Sequence, residues 1–161
     1  MGRALRFLRW VLLLVLVALV VWFGGLGPYG FAPGGYLWGE VREPPADWSF
    51  TDAIPEIQLE TRLFGLPYSV TIWVMSQGGR LFLGAIECDR VWVDQVKADP
   101  EIRLRVDGRV YEMRAEISTD RALGAALAPV LLHKYLGIAV DSANWIPGEN
   151  TGCVFRVRPR A

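Results

Sequence analysis

The sequence predicts a mainly β domain with two helices (α+β), preceded by one N-terminal transmembrane helix. Residues 68–75 alternate between apolar and polar side chains, and this period of two is typical of a half-buried strand. Asp107-Gly108 separates two further alternating runs, which is the strongest short-range signal for a β-hairpin. No charged residue occurs between Arg9 and Glu40, and the first part of that interval is apolar throughout.

The N-terminal segment is predicted to span a membrane. Residues 10–26 contain 17 uncharged residues, or about 25 Å of helix. Trp10 and Trp22 flank its apolar core, where amphipathic rings favour the headgroup region. Arginines occur on the N-terminal side only, at positions 3, 6 and 9. This bias predicts an inner-membrane protein with its N-terminus in the cytoplasm and its globular domain on the outer, periplasmic side.

Two other interpretations of this segment are open. A cleaved signal peptide has an apolar core of 7–15 residues followed by a small-x-small site. The sites Gly25-x-Gly27 and Gly30-x-Ala32 are both followed by proline, which disfavours cleavage and favours an uncleaved anchor. A buried core helix is disfavoured by the arginine flank and by 30 consecutive uncharged residues.

The chain divides by composition into four parts. They are a basic end (1–9), a transmembrane anchor (10–27), a strap rich in glycine, proline and aromatic residues (28–55) and a barrel domain (56–161). Disordered linkers usually lack aromatic residues. We therefore expect the strap to lie against the membrane surface or the domain rather than to form a free tether.

The strands of the barrel domain follow from alternation and from turn residues. Residues 57–63 form the first strand, residues 68–75 the second and residues 80–86 the third, with Gly65-Leu66-Pro67 and Gln77-Gly78-Gly79 between them. Residues 151–158 form the last strand, after a turn-rich segment at 140–152.

The hairpin at Asp107-Gly108 predicts its own register. A two-residue turn pairs Leu104 with Tyr111 and Ile102 with Met113 on one face. On the other face it pairs Arg103 with Glu112 and Glu101 with Arg114, so that opposite charges meet. A shift by one residue would move every side chain to the wrong face.

Two helices are predicted between the strands. The first covers residues 89–98, with Asp89 as its cap, an apolar stripe at Trp92, Val93 and Val96, and an end at Asp99-Pro100. The second begins at Thr119 or Asp120 and ends at the capping Gly137. Pro129 is expected to kink or restart it. Its apolar face contains Leu123, Leu127, Leu131 and Tyr135.

Composition excludes several functions. The 17 basic and 17 acidic residues balance, so the chain has no broad nucleic-acid footprint. No Cys-x-x-Cys motif or His/Cys cluster predicts a metal site, and no nucleophile elbow or P-loop is present. Cys88 and Cys153 would lie in an oxidising compartment if the topology is right, where a disulfide and two buried free thiols are both open interpretations.

The order of elements indicates a split β-barrel, and short motifs carry a family resemblance. Residues 98–104 (ADPEIRL), after an amphipathic helix, resemble the ANP-x-V-x-L step of the pyridoxamine-phosphate-oxidase-like split barrels, which include the deazaflavin-dependent nitroreductase branch. Residues 66–71 (LPYSVT) and 79–83 (GRLFL) are similar to the second and third strands of that superfamily. The strap motifs PGG (33–35) and DWSF (47–50) are similar to those of membrane-anchored bacterial relatives.

The resemblance implies a cofactor of the FMN, deazaflavin or haem type and a dimer with the cofactor at the subunit interface. The phosphate would lie just after the third strand, near the N-terminus of the next helix, where free N–H groups suit an anion. Here that segment reads Glu87-Cys88-Asp89-Arg90. Its two carboxylates would repel a phosphate, so the chain departs from the family at this point.

Four residues are candidates for cofactor binding: Arg62, Trp73, Arg90 and Trp92. The arginines would bind a phosphate and the tryptophans would stack on the ring system. Each also has a structural interpretation. Arg90 would be a solvated helix residue, Arg62 would pair with Glu60 or Glu87, and both tryptophans would be core residues. His133 is expected to be a packed or surface residue, and Lys97 and Lys134 are expected to be surface charges.

Two functions follow as hypotheses. The first is a membrane-anchored oxidoreductase of the flavin or deazaflavin type, in which the cofactor performs the redox chemistry. The second is a cofactor-free split barrel that acts as an interaction or assembly module of a membrane complex, which the acids Glu87 and Asp89 favour.

Overall fold

The computed structural model of the protein describes residues 2–23, 27–30, 32–137 and 152–160. Residues 140–151 of the predicted turn-rich segment (140–152) and residues 24–26 of the predicted anchor lie outside the described part of the chain, as does the side chain of Trp22. The described elements are α1 (Gly2–Phe23), β1 (Glu40–Val41), a 3-10 helix (Ser49–Ala53), β2 (Glu56–Leu63), β3 (Leu66–Gln77), β4 (Arg80–Ala85), α2 (Val91–Ala98), β5 (Glu101–Val106), β6 (Arg109–Ile117), α3 (Arg121–Leu136) and β7 (Cys153–Pro159).

Six antiparallel strands close into a barrel. The strand order is β6-β5-β2-β3-β4-β7, and pairing of β6 with β7 closes the ring. The two-residue strand β1 joins β6 in parallel. The mainly β class with helices, the split barrel and the preceding apolar helix were all predicted from the sequence, and the structure confirms them.

The predicted hairpin register is confirmed at all four pairs. Leu104 faces Tyr111, Ile102 faces Met113, Arg103 faces Glu112 and Glu101 faces Arg114. Asp107 and Gly108 have φ values of 49° and 75°, as a type I′ turn requires.

The barrel interior holds the main hydrophobic core. Leu59, Leu104, Met113 and Phe155 are completely buried there. The inward face of β3 contributes Ile72 and Val74, with Tyr68 and Val70 partly buried beside them. The period-two pattern of the sequence therefore identified the core face of β3.

A second, smaller core lies outside the barrel under α3. Leu127 is buried against Met75 and Phe82, and Leu123 and Leu131 pack around them. Gly84 permits this approach, since a Cβ atom there would lie 3.2 Å from Leu131 Cδ1. The predicted apolar face of this helix is therefore confirmed.

The predicted ends of α3 are confirmed, and of the two outcomes predicted at Pro129, a kink or a restart, the restart is wrong. The Asp120 carboxylate accepts hydrogen bonds from the N–H groups of Ala122 and Leu123, and Gly137 ends the helix in the left-handed conformation. The helix runs through Pro129 as one element. Packing of α3 on β3 and β4 outweighs the hydrogen bond that proline removes.

Two further sequence predictions require correction. Helix α2 begins at Val91 with Arg90 as its N-cap, so Asp89 does not cap it. Lys134 is not a surface charge, because its Nζ donates to the carbonyl oxygens of Thr51 and Val74 at 2.8 and 2.9 Å. Burial lowers the pKa of Lys134, and the charge of Asp52 partly opposes that shift.

The strap lies against the barrel. Gly34 forms a two-way backbone bridge with Ser69, and the Leu37 N–H donates to Glu60 Oε2 at 2.6 Å. Glu60 also pairs with Arg103 at 2.9 Å, and both side chains are about nine-tenths buried. The strap thus covers a buried ion pair on the outside of β2 and β5.

The described middle of the N-terminal helix is not buried. Its window Ala4–Val21 has a mean hydropathy of 2.5 and no buried share. The helix begins at Gly2, so the arginine-containing end is helical too, in keeping with the helix propensity of arginine and leucine. By length and composition this helix could cross a membrane.

Candidate functional site

A cleft opens where β3 and β4 separate. The first part of β3, from Leu66 to Trp73, pairs with β2, whereas only residues 74–77 pair with β4. The last residues of β4, Gly84 and Ala85, pair with β7 instead. The space between them has a volume of about 440 Å³. It is lined by residues 68 and 70–73 of β3, 84–86 at the end of β4, 90–92 at the start of α2, and Gly30, Ala32 and Glu56.

The walls of the cleft are mostly apolar and include both candidate tryptophans. Trp73 lies parallel to Tyr135 of α3, with ring centroids 4.4 Å apart and an interplanar angle of 9°. Trp92 is 7% exposed and packs against Phe155, with ring centroids 5.4 Å apart. Trp73 is therefore held in place by a stacked partner, and Trp92 serves the core while one part of it borders the cleft.

The α2 end of the cleft suits an anion. Arg90 lines the cleft as the N-cap of α2 and makes no side-chain capping bond. Its carbonyl oxygen accepts the N–H groups of Val93 and Asp94. The N–H groups at the very start of a helix have no partner within the helix, and they lie at the positive end of its dipole.

Carboxylates oppose an anion at the same place. Arg90 Nη2 lies 2.6 Å from Glu87 Oε2, and Glu56 lines the cleft as well. Among the described lining residues Arg90 is the only cation. The lining therefore offers an apolar and aromatic wall to a flat ring system, and one guanidinium and one helix N-terminus to a phosphate.

Arg62 does not join the other three candidates. It is exposed near the end of β2, opposite Pro67, and it does not line the cleft. The expected pairing with Glu60 or Glu87 is wrong, since those carboxylates pair with Arg103 and Arg90. In the part of the chain that the structure describes, Arg62 forms no ion pair.

A disulfide holds the end of the cleft that contains Glu87 and Arg90. Cys88 and Cys153 are bonded, with Cα atoms 5.3 Å apart and a sequence separation of 65. Of the two interpretations that the sequence left open, the structure has the disulfide. The bond joins the turn before α2 to the first residue of β7, so it holds the segment containing Glu87 and Arg90 against the barrel.

Tyr135 is hydrogen-bonded to the backbone of β3 next to Trp73. Its hydroxyl accepts the Val74 N–H and donates to the Val74 carbonyl, both at 2.8 Å. Burial raises the pKa of Tyr135 to about 12. Burial also raises the pKa of Tyr68 in the cleft wall, so both phenols stay protonated at neutral pH.

Several lining residues could not be identified from the sequence. Ile86 and Val91 lie in no motif, and the strand motif at 66–71, which contains Tyr68 and Thr71, assigns those two residues no binding role. The four residues line one cleft because β3 and β4 separate there. The one available signal was the end of the apolar run at Ile86, close to Arg90. His133 is exposed on α3 and lies outside the cleft lining.

Comparison with known proteins shows the fold. No family model and no curated protein matches the chain. The chain is similar to a conserved hypothetical protein from Mycobacterium tuberculosis, with a TM-score of 0.53 and 15% identity over 70% of this chain and 77% of that one.

Two further solved structures are similar. A putative pyridoxamine 5'-phosphate oxidase from Listeria innocua has a TM-score of 0.49 and 12% identity, over 66% of this chain and 85% of that one. An F420 reductase has a TM-score of 0.49 and 20% identity, over 73% and 96%. At these identities the likeness concerns the fold alone. The protein is a six-stranded split β-barrel with an apolar helix before it.

Proposed function

We propose that this protein is a membrane-anchored oxidoreductase that binds a flavin-class cofactor, FMN or a deazaflavin, in the cleft between β3 and β4. The observation that carries the proposal is the meeting of an aromatic wall with Arg90 and an uncapped helix N-terminus in one cleft. Such a combination suits a flat ring system that bears an anionic tail.

Each lining residue has a role in this proposal. Trp73, held by Tyr135, supports one side of the ring system, while Val70 and Ile72 exclude water from the wall beside it. Arg90 and the first N–H groups of α2 bind the anionic end. When bound, the cofactor supplies the electron transfer, and the protein supplies binding, orientation and electrostatics.

The membrane placement has two supports. The apolar window Ala4–Val21 is entirely exposed, with Arg3 just before it and Arg6 and Arg9 in its first two turns. The Cys88–Cys153 disulfide suits an oxidising compartment outside the cytoplasm. The proposed topology is a single pass through the inner membrane with the N-terminus inside.

The topology can be tested with a reporter. Alkaline phosphatase, which is active only outside the cytoplasm, should be active when fused after Ala161. A cytoplasmic reporter at the same position should be inactive. The reverse result would contradict the proposed sidedness.

The cofactor is tested on the full chain in detergent. The purified protein should show a flavin-like absorption band or acquire one when incubated with FMN or with a deazaflavin. A colourless protein that binds neither at micromolar concentration would refute the oxidoreductase proposal.

A second function is favoured by one observation. Glu87 forms an ion pair with Arg90 at 2.6 Å, and Glu56 adds a second carboxylate to the cleft. These two negative charges would repel a phosphate. In this alternative the barrel is a cofactor-free interaction or assembly module, and its partner is a second copy or another subunit of a membrane complex. Capture of a stoichiometric membrane partner by a colourless protein would support it, whereas a colourless monomer without partners would contradict it.

A further inference from the structure

We propose that the mouth of the β3–β4 cleft lies on the surface of the bilayer that α1 enters, with Tyr29, Ile86 and Val91 in the headgroup region. The inference rests on the membrane anchoring proposed above and adds the orientation of the barrel. It does not depend on whether the cleft holds a cofactor.

The chain between the membrane helix and the barrel is short. Helix α1 ends at Phe23. Gly27 already lies against the barrel, because a Cβ atom added at Gly27 would be 2.9 Å from Arg105 Nη2. The next carbonyl, that of Pro28, accepts a hydrogen bond from Gln58 Nε2 at 3.3 Å. Four residues reach at most about 14 Å. The barrel is therefore held close to the end of α1 on the side where Gly27 attaches.

That attachment side borders the cleft. Tyr29 and Ala32 exchange two backbone hydrogen bonds, at 3.1 and 3.0 Å, in a turn that contains Gly30 at φ 55°. Gly30 and Ala32 line the cleft. The chain that leaves α1 thus forms one edge of the cleft mouth, and Tyr29 on this edge is 89% exposed.

Other lining residues expose aliphatic side chains. Ile86 and Val91 line the same cleft and are 61% and 52% exposed. Exposed aliphatic and tyrosine side chains gain free energy in the interface between lipid and water. Glu112 on β6 is exposed and charged, and it belongs neither to the cleft lining nor to the residues that the described tether contacts. The cleft mouth therefore lies beside the tether and combines exposed aliphatic side chains with the exposed Arg90–Glu87 pair.

The test uses the full chain in nanodiscs of phosphatidylethanolamine and phosphatidylglycerol. A photo-crosslinking residue, p-benzoylphenylalanine, replaces Ile86 or Val91, with Leu14 in α1 as the membrane reference and Glu112 as the matched exposed control. Mass spectrometry then identifies lipid adducts and protein–protein adducts after irradiation. We expect lipid adducts at 14, 86 and 91, and none above background at 112.

Two results would overturn the inference and would point to different errors. Lipid adducts at 14 without any at 86 and 91, or crosslinked dimers at 86 and 91 instead, would contradict the orientation while anchoring stands. Absence of lipid adducts at 14 would contradict anchoring itself. Cofactor binding is read separately from the visible spectrum of the same samples.

Discussion

Arg90 Nη2 lies 2.6 Å from Glu87 Oε2 at the edge of the cleft, and both side chains are about 60% exposed. An exposed pair of this kind contributes little to folding because water and salt screen it. The pair matters for ligand binding, because Glu87 neutralises Arg90, the one cation among the described residues that line the cleft.

Replacing Glu87 by glutamine should tighten FMN binding. The change removes a negative charge beside the proposed phosphate and frees the Arg90 guanidinium. The stability should change by less than about 0.5 kcal/mol, as for other surface substitutions. The matched control is Asp94→Asn, which breaks the exposed Asp94–Lys97 pair on α2. Titration of apo-protein with FMN checks both variants, and equal affinities for wild type and Glu87→Gln would count against the site.

Removal of the disulfide should be strongly destabilising. For a closed loop of 65 residues, loop entropy predicts a loss of about 4 kcal/mol in the free energy of unfolding. We expect this loss in the double variant Cys88→Ser/Cys153→Ser, measured by urea unfolding of the full chain in detergent. The wild type should fall to the same midpoint in the presence of a reductant, while the double variant should not respond to it. A wild type that is indifferent to reductant would show that the bond does not form.

The buried Glu60–Arg103 pair should matter far more than exposed pairs. Glu60→Ala leaves both the Arg103 guanidinium and the Leu37 N–H without their carboxylate. Breaking a buried pair from one side costs about 3–5 kcal/mol. Glu40→Ala, which breaks the exposed pair with Arg42, should cost less than about 0.5 kcal/mol. Similar losses in the two variants would mean that the strap does not cover this pair in solution.

Tyr135 should make stability fall at alkaline pH. Burial raises its pKa in the folded protein from 10.0 to about 12, so the folded state keeps a proton that the unfolded state loses. The stabilisation is fully present below pH 10 and is lost progressively as the pH rises toward about 12. Urea unfolding across this interval should show a shallower decline for Tyr135→Phe than for wild type. Tyr29→Phe, at an exposed position, should decline as the wild type does, and parallel curves for all three proteins would refute the role of Tyr135.

Local physics made much of the barrel predictable from the sequence. The Asp107-Gly108 turn fixes its own φ angles and hence the register of β5 and β6. The alternation in residues 68–75 assigned Ile72 and Val74 to the interior. Asp120 and Gly137 mark the ends of α3 because capping depends on adjacent backbone groups. These features need only neighbouring residues in the chain.

The site was only partly predictable because it depends on contacts between distant segments. Trp73, Arg90 and Trp92 do meet at one cleft, but Arg62 remains outside it. The departure of β4 from β3 toward β7 creates the cleft, and no local pattern in either strand encodes that departure. The pairings of Glu60 and Lys134 were also missed, since their partners are 43 and 60 or more residues away.

The central claim is that the cleft binds a flavin-class cofactor with its anionic end at Arg90, and a comparison of FMN with riboflavin tests it most directly. The two ligands share the ring system and differ in the phosphate. A charge-assisted contact contributes about 1.5–3 kcal/mol, so Arg90→Ala should weaken FMN binding about 10- to 150-fold and leave riboflavin binding unchanged. Arg62→Ala, which alters an exposed arginine outside the cleft, should affect neither ligand. Equal losses for both ligands in Arg90→Ala, or no binding of either ligand to the wild type, would contradict the account.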